Sequence, residues 1–167
     1  MLVRRAELGD ETAVAGVHVR SWQVAYRGLL PDAYLAGLRS ADRAARYTFA
    51  DHQQGKPETL VIIDDGSLCG FATLGPSRDA DCKGGELYAF YVEPARWGQG
   101  LGRELMRSAR ERLGLQGFGE AILWMLVGNQ RAERFYRGDG WAPDGSRRTL
   151  KVQGVDVDEL RYGRALP

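Results

Sequence analysis

The sequence predicts an α/β fold in which a mixed, mostly antiparallel sheet carries helices on both faces, as one domain over residues 1–167. Asp65-Gly66 separates two apolar runs, which is typical of a tight antiparallel hairpin. Further on, an apolar strand, a glycine-rich turn and a one-sided helix lead to another apolar strand, and this order predicts a parallel pair. These two patterns together require a mixed sheet.

The first part of the chain predicts a strand followed by helices. Residues 2–6 are expected to form the first strand, and Asp10 is placed to cap the helix that follows. Residues 21–38 are rich in aromatic side chains and are broken by Gly28 and Pro31. Ser40 is the expected cap of another helix that reaches to about Gln54.

The second part of the chain predicts the sheet. Residues 59–64 and 67–74 are the strands of the hairpin, and residues 76–85 form a polar loop. Residues 87–92 are the central strand, which has to stop before Pro94 because proline has no N–H for the ladder. The remaining expected elements are a strand at 121–127, a short helix at about 130–138 and a final strand at 155–164.

The turn between the central strand and its helix has the character of an anion site. Gly98, Gly100 and Gly102 allow positive φ and a close approach of the backbone to a ligand. The first turn of the helix adds unpaired N–H groups and the positive end of its dipole, which suit a phosphate or pyrophosphate. The spacing lacks the third glycine of the dinucleotide fingerprint, and no P-loop Gly-Lys-Ser or Gly-Lys-Thr occurs. A turn without any ligand is the alternative.

Two blocks of sequence carry a family resemblance. Val92-Glu-Pro-Ala-Arg-Trp-Gly-Gln-Gly-Leu-Gly resembles the pyrophosphate loop of the GNAT superfamily of N-acyltransferases, Arg/Gln-x-x-Gly-x-Gly/Ala, with Trp97 at the Arg/Gln position. Asn129-Gln-Arg-Ala-Glu-Arg-Phe-Tyr, followed by Gly140-Trp141, resembles the Asn-x-x-Ala-x-x-Phe-Tyr…Gly-Phe segment of that family. The resemblance covers about residues 60–141.

The resemblance implies a GNAT-like fold, splayed at its middle strands, that binds acetyl-CoA (coenzyme A) and transfers acetyl to a primary amine. The arm of the cofactor would pair with the exposed edge of the central strand, and the N–H near Val92 would polarise the thioester carbonyl. Asn129 would contact the cofactor and also cap its own helix. The cofactor-binding residues implied are Phe90, Tyr91, Val92, Trp97, Gly98, Gln99, Gly100, Leu101, Gly102, Arg103, Asn129, Phe135 and Tyr136.

The resemblance also assigns catalytic roles. Tyr136 matches the tyrosine that protonates the departing thiolate, and a phenol with a pKa of about 10 is protonated at neutral pH. Glu86 is at the position where some members place the base, with solvent exposure as the alternative. The rival bases are Glu93, His18 and His52.

The aromatic segment supplies the expected acceptor site. Residues 21–38 resemble a segment that lines the acceptor cleft in bacterial members of the family, which implies that Trp22 and Tyr26 bind the acceptor; the alternative is that these aromatic side chains belong to the core. Neither cysteine stands where a covalent acyl-enzyme would need it, so direct attack in a ternary complex is expected.

Composition limits the remaining possibilities. The formal charge is +1 with acids and bases interspersed, so a nucleic-acid partner is not expected. No apolar run approaches membrane-spanning length, and a cytoplasmic protein without membrane contact is expected. Cys69 and Cys82 have no metal spacing, so no metal is expected. A homodimer is compatible with the resemblance, and a non-catalytic acyl-CoA-binding or sensor domain is the rival function.

Overall fold

The computed structural model describes residues 1–50 and 55–167 and contains one seven-stranded sheet in the order β1-β2-β3-β4-β5-β7-β6. The strands are β1 (Leu2–Arg5), β2 (Glu58–Asp64), β3 (Ser67–Pro76), β4 (Gly85–Val92), β5 (Glu120–Leu126), β6 (Ala142–Val152) and β7 (Val155–Ala165). The helices are α1 (Glu11–Ala25), α2 (Asp32–Gly37), α3 (Ser40–Ala44), α4 (Leu101–Leu115) and α5 (Gln130–Gly138), with one 3₁₀ turn at Pro94–Arg96. The mixed α/β architecture is confirmed.

The hairpin of β2 and β3 forms as the Asp65-Gly66 pair predicts. Asp65 has φ of 49° and Gly66 has φ of 74°, so both turn residues are left-handed, as a type I′ turn requires. Asp64 pairs with Ser67, and the ladder continues to Glu58 and Leu74.

The helices cover both faces of the sheet. On one face α4 buries its apolar stripe, Leu101, Leu105, Ala109 and Leu113, against alternate residues of β2 and β3. On the other face α1 packs Val14 and Val17 against Val61 and Phe71. Residues that alternate along a strand point to opposite faces, so Leu60 and Ile62 belong to the first cluster and Val61 to the second.

The sheet splits between its middle strands. β4 pairs in parallel with β5 only at Gly85↔Ala121, Glu86↔Ile122 and Leu87↔Leu123, although both strands continue beyond these residues. On its other side β4 pairs with β3 from Gly85 to Val92, with a register shift that leaves Tyr88 without a partner in β3. One edge of β4 is therefore open from residue 88 onward.

Three expectations for the sequence need correction. Ser40 is the first residue of its helix and not the cap, which is Arg39; the helix ends at Ala44, and Gln54 lies outside the described residues. Asp10 stands at the start of α1, but its carboxylate accepts the Glu7 N–H and binds Arg4 instead of capping the helix. Strand β6 is absent from the sequence-based prediction, because most of its side chains are exposed and no apolar run marks it.

Candidate active site

A cleft of about 640 Å³ opens where β4 and β5 diverge. Its walls come from both strands, from the start of α4, from α5 and from the end of α1. Small-molecule sites commonly occupy clefts of this size, at places where a sheet is interrupted. The split of the sheet therefore creates a cleft large enough to be a candidate small-molecule site.

The open edge of β4 points its backbone groups into this cleft. Glu93 donates its N–H to the Cys69 carbonyl at 2.7 Å, which makes Cys69 and Glu93 a hydrogen-bonded pair of the antiparallel ladder. Because such pairs alternate, Gly70↔Val92 and Ala72↔Phe90 are non-hydrogen-bonded pairs. The N–H and C=O groups of Phe90 and Val92 thus face away from β3, towards the gap.

Two side chains bind the Val92 carbonyl. The Trp97 indole donates its Nε1–H at 2.8 Å, and the Ser21 hydroxyl donates at 3.2 Å. The carbonyl of this residue is therefore satisfied, while its N–H remains directed into the cleft. Trp97 acts as a structural brace between the strand and the glycine loop.

The glycine loop has the geometry that the sequence predicts. Gly98 and Gly100 have φ of 79° and 87°, in the left-handed region that favours glycine. Gly100 immediately precedes α4, and Gly102 lies in its first turn, where a Cβ would be 3.4 Å from the Phe135 ring. Unpaired N–H groups of a helix start therefore face the cleft beside these glycines.

Three arginines surround the loop. Arg103, Arg131 and Arg134 line the cleft and are exposed, and none of them forms an ion pair with a carboxylate of the described residues. The Arg131 guanidinium lies 4.1 Å above the Trp97 ring, a cation–π contact. Sequence reasoning missed Arg131 and Arg134, although they stand at i and i+3 inside the quoted Asn129 block and so share one face of α5.

Most of the predicted cofactor residues line the cleft, but two do not. Gln99 accepts a hydrogen bond from Arg96 at 2.7 Å, and Leu101 is buried in the core with 1% exposure. Asn129 caps α5 by accepting the Ala132 N–H at 3.2 Å and also lines the cleft. The residues found in the lining are Phe90, Tyr91, Val92, Trp97, Gly98, Gly100, Gly102, Arg103, Asn129, Phe135 and Tyr136.

Tyr136 lies in the cleft wall among other aromatic rings. Its ring is in T-shaped contact with Phe135 and Phe90. Burial, with a contribution from Tyr91, raises the pKa of the Tyr136 phenol well above its usual range. The hydroxyl is therefore protonated at neutral pH and is available as a hydrogen-bond donor.

The structure separates the two predicted acceptor residues. Tyr26 lines the cleft, and its hydroxyl is 3.5 Å from that of Tyr91. Burial raises the pKa of the Tyr26 phenol, with Tyr91 adding to the effect. Trp22 lies behind Tyr26 in an edge contact, and its buried Nε1–H has no hydrogen-bond acceptor among the described residues.

The candidate bases lie outside the lining of the cleft. Glu86 is 2% exposed, and its carboxylate accepts the Arg78 backbone N–H at 2.8 Å and an Arg78 guanidinium N–H at 2.9 Å. Glu93 is bound by Arg20 at 2.7 Å. His18 is buried against Trp22, Phe71 and Tyr91, and burial lowers its pKa to about 3.

His52 lies outside the described residues, so the structure gives no position for this candidate base. Across 1–50 and 55–167, no group of three or more His, Cys, Asp or Glu side chains is arranged to hold a metal ion. Within the same ranges, no helix has the length and apolar character needed to cross a membrane.

Comparison with known proteins identifies the family of the chain. The sequence model of the acetyltransferase (GNAT) family matches residues 22–141. An uncharacterized N-acetyltransferase of Bacillus subtilis, YuaI, is 34% identical over 166 residues, which span 96% of this chain and 91% of that protein. The chain therefore belongs to the acetyltransferase (GNAT) family.

Solved structures share the fold at low sequence identity. YncA of Salmonella typhimurium, solved with its cofactor acetyl-CoA, has a TM-score of 0.73 at 21% identity, over 100% of this chain and 94% of that one. The PaiA N-acetyltransferase of Thermoplasma acidophilum, solved with coenzyme A, has a TM-score of 0.70 at 19% identity, over 99% of both chains. The predicted GNAT-like fold, with its splayed middle strands, is confirmed.

Proposed function

We propose that this protein transfers the acetyl group of acetyl-CoA to a primary amine by direct attack in a ternary complex. The observation that carries the proposal is the open edge of β4 beside the left-handed glycine loop, within one cleft. Two relatives in structure were solved with coenzyme A or acetyl-CoA. In the proposed reaction the amine forms a C–N bond to the thioester carbonyl, the C–S bond breaks, and one proton moves from nitrogen to sulfur.

The residues of the cleft suit the parts of acetyl-CoA. The N–H groups around Gly98 and Gly100 would bind the pyrophosphate, and Arg103, Arg131 and Arg134 supply positive charge for the phosphates. The backbone edge at Phe90 would pair with the amide-containing arm. The backbone carbonyl of Val92 already accepts hydrogen bonds from Ser21 and Trp97, whereas its N–H would donate to the oxygen of the thioester carbonyl.

Tyr136 is the proposed hydrogen-bond donor to the leaving sulfur. Its raised pKa keeps the phenol neutral, and a thiolate of pKa about 8.5 accepts a hydrogen bond from it. Because the phenol is a weaker acid than the thiol, it stabilises the departing thiolate by a hydrogen bond, and the proton that the amine loses ends on the sulfur.

Glu86 stays the proposed base, acting through water. Its charge contributes to raising the pKa of Tyr88 to about 12, after burial of that phenol, so the carboxylate acts on a side chain that lines the cleft. Glu93 is held in an ion pair by Arg20, and His18 is enclosed by aromatic rings. Glu86 is itself bound by Arg78, and what favours it over Glu93 and His18 is its effect on Tyr88, whose ring lines the cleft.

The acceptor would be a small-molecule or peptide amine that enters next to Tyr26. Neither Cys69 nor Cys82 lines the cleft, which favours direct attack over a covalent acyl-enzyme. A homodimer stays a prediction.

The test is a thiol-release assay with acetyl-CoA over a panel of primary amines, together with calorimetric binding of acetyl-CoA. Release that depends on the amine supports the proposal. Binding without release for every amine would instead favour a non-catalytic acyl-CoA sensor. Failure to bind acetyl-CoA would refute both the acetyltransferase and the sensor function.

A further inference from the structure

The loop of residues 77–84 joins β3 to β4, and its one link to the chemistry proposed above is the contact of Arg78 with Glu86. Hydrogen bonds within the loop hold it in one conformation. The Ser77 N–H donates to the Gly84 carbonyl at 2.9 Å, and the Cys82 N–H donates to the Asp79 carbonyl at 3.1 Å. The Asp79 N–H donates to the Ser77 hydroxyl at 3.1 Å. Arg78 N–H donates to Glu86. The loop therefore has a defined shape although it is largely polar.

One arginine fastens this loop to the far half of the sheet. Arg161 of β7 donates from Nη1 to Asp79 at 3.0 Å, and from Nη1 and Nη2 to both oxygens of Asp81 at 2.7 and 2.9 Å. Its Nε donates to Asp144 of β6 at 2.7 Å. The Arg161 side chain is only 11% exposed and that of Asp79 18%, so the bond between them is largely shielded from water, whereas Asp81 is 67% exposed.

The same cluster also holds a wall of the cleft. The Trp124 indole donates its Nε1–H to Asp79 at 3.0 Å, and Asp79 is thereby shared between Trp124 and Arg161. Trp124 lines the cleft. The Arg148 guanidinium lies 4.2 Å from the Trp124 ring centre. Trp124 is thus fixed by a hydrogen bond at its edge and by a cation on its ring.

Trp124 and Tyr88 stand on the face of the sheet that α1 covers. Leu87 of β4 and Leu123 of β5 form the last pair between these two strands, and both pack in the cluster with α4. The next residue of each strand, Tyr88 and Trp124, points to the opposite face. Tyr26, just after α1, also lines the cleft, so the three rings enclose one end of the split.

We propose that Arg161 is a positioning residue that clamps the 77–84 loop onto Trp124, and that this clamp shapes the acceptor end of the cleft. The inference rests on the proposed function, since it assigns the Tyr88–Trp124 end of the split to the amine. Without Arg161, Asp79 keeps only its bond to Trp124 and Asp81 loses its ion pair, so the loop and the indole lose their link to β7. The acceptor would then have to order both of them on binding, whereas the phosphate end of the cleft would keep its contacts.

The experiment compares Arg161→Met, which keeps the length of the stem, with Arg161→Lys, which keeps the charge. Arg112→Met is the matched control, because Arg112 also joins a half-buried ion network, with Glu58, but lies on α4 and does not line the cleft. Hydrogen exchange is measured on the amides of Ser77, Arg78, Asp79 and Cys82. Steady-state rates are measured with a turned-over amine, and acetyl-CoA binding by calorimetry.

Arg161→Met is expected to accelerate exchange of the loop amides by about tenfold or more and to raise the acceptor KM by about tenfold, with acetyl-CoA affinity unchanged. Arg161→Lys should recover part of both effects, and Arg112→Met should produce neither. If Arg161→Met does not fold, the double variant Asp79→Asn/Asp81→Asn removes the same ion pairs from the loop side.

Unchanged loop exchange in these variants would overturn the clamp. Faster exchange with an unchanged acceptor KM would overturn its role at the acceptor end. If the wild-type protein releases thiol with none of the amines tested, the proposed function is refuted instead. The hydrogen-exchange result would still decide whether Arg161 positions the loop.

Discussion

Replacing Gly100 with valine tests the anion site most directly. Gly100 has φ of 87° and ψ of −14°, and its carbonyl accepts the Glu104 N–H at 3.1 Å, so the start of α4 holds this conformation in place. Nothing lies within 4 Å of the position where a Cβ would be. The substitution therefore strains the backbone without a clash at the new Cβ.

The size of the effect follows from the left-handed conformation. An L-residue in this region costs roughly 1–2 kcal/mol relative to glycine, and a β-branched residue is at the upper end. If the loop relaxes to avoid the strain, cofactor binding has to restore the strained shape. The acetyl-CoA affinity should then fall by at least ~1.4 kcal/mol, which is tenfold. A loop that keeps its shape instead places the valine side chain beside the phosphate.

Gly117→Val is the matched control. Gly117 has φ of 93°, also has no atom within 4 Å of the point that a Cβ would occupy, and follows the C-terminal end of α4. A helix of 15 residues is about 22 Å long, so this position is remote from the phosphate loop. Both variants should lose similar free energy of unfolding in urea, but only Gly100→Val should lose affinity for acetyl-CoA by calorimetry. Equal affinities in the two variants would refute the phosphate cradle.

Three further changes test the chemistry and the packing. Tyr136→Phe keeps the ring and should lower kcat by about 10²-fold with acetyl-CoA affinity unchanged, because only the hydroxyl contacts the leaving sulfur. A variant with full kcat would mean that Tyr136 has only a packing role. Glu86→Gln should lower kcat/KM most at low pH and be partly rescued at high pH, where more amine is neutral, and a pH profile superimposable on wild type would place the base elsewhere. His18 is neutral when folded because burial lowers its pKa to about 3 from 6.5, so its contribution to stability is present above pH 6.5 and is lost as pH falls towards 3. Lowering the pH from 7.5 to 5.0 should therefore reduce the free energy of unfolding by about 2 kcal/mol, an effect that His18→Gln should remove in urea titrations.

Local sequence signals are sufficient to predict much of the site. Glycine spacing predicts the left-handed loop, the four-residue apolar repeat predicts α4, and the Asn129 cap predicts the start of α5 at Gln130. Each of these features depends on residues within one or a few turns of each other. Short-range conformational preferences therefore indicate where they form.

The features that sequence reasoning missed depend on distant residues. Arg161 and Asp79 are 82 positions apart, and neither residue has a local pattern that marks the contact. Strand β6 is stabilised by its ladder to β7, where Arg148 pairs with Glu159, and by few buried side chains of its own. The contact that accompanies the burial of Glu86 is closer in sequence, since Arg78 is only eight positions away, but it forms only when the 77–84 loop folds back onto β4. Only the folded chain brings these groups together.

The occupied carbonyl of Val92 has a consequence for self-association. An unpaired strand edge inside a sheet is a template on which another chain can add by complete backbone pairing, a common origin of aggregation. Trp97 and Ser21 engage one acceptor of this edge, and a foreign strand would lose a ladder bond there. We expect the split to remain open to a narrow ligand arm while it discourages the addition of a strand from a second molecule.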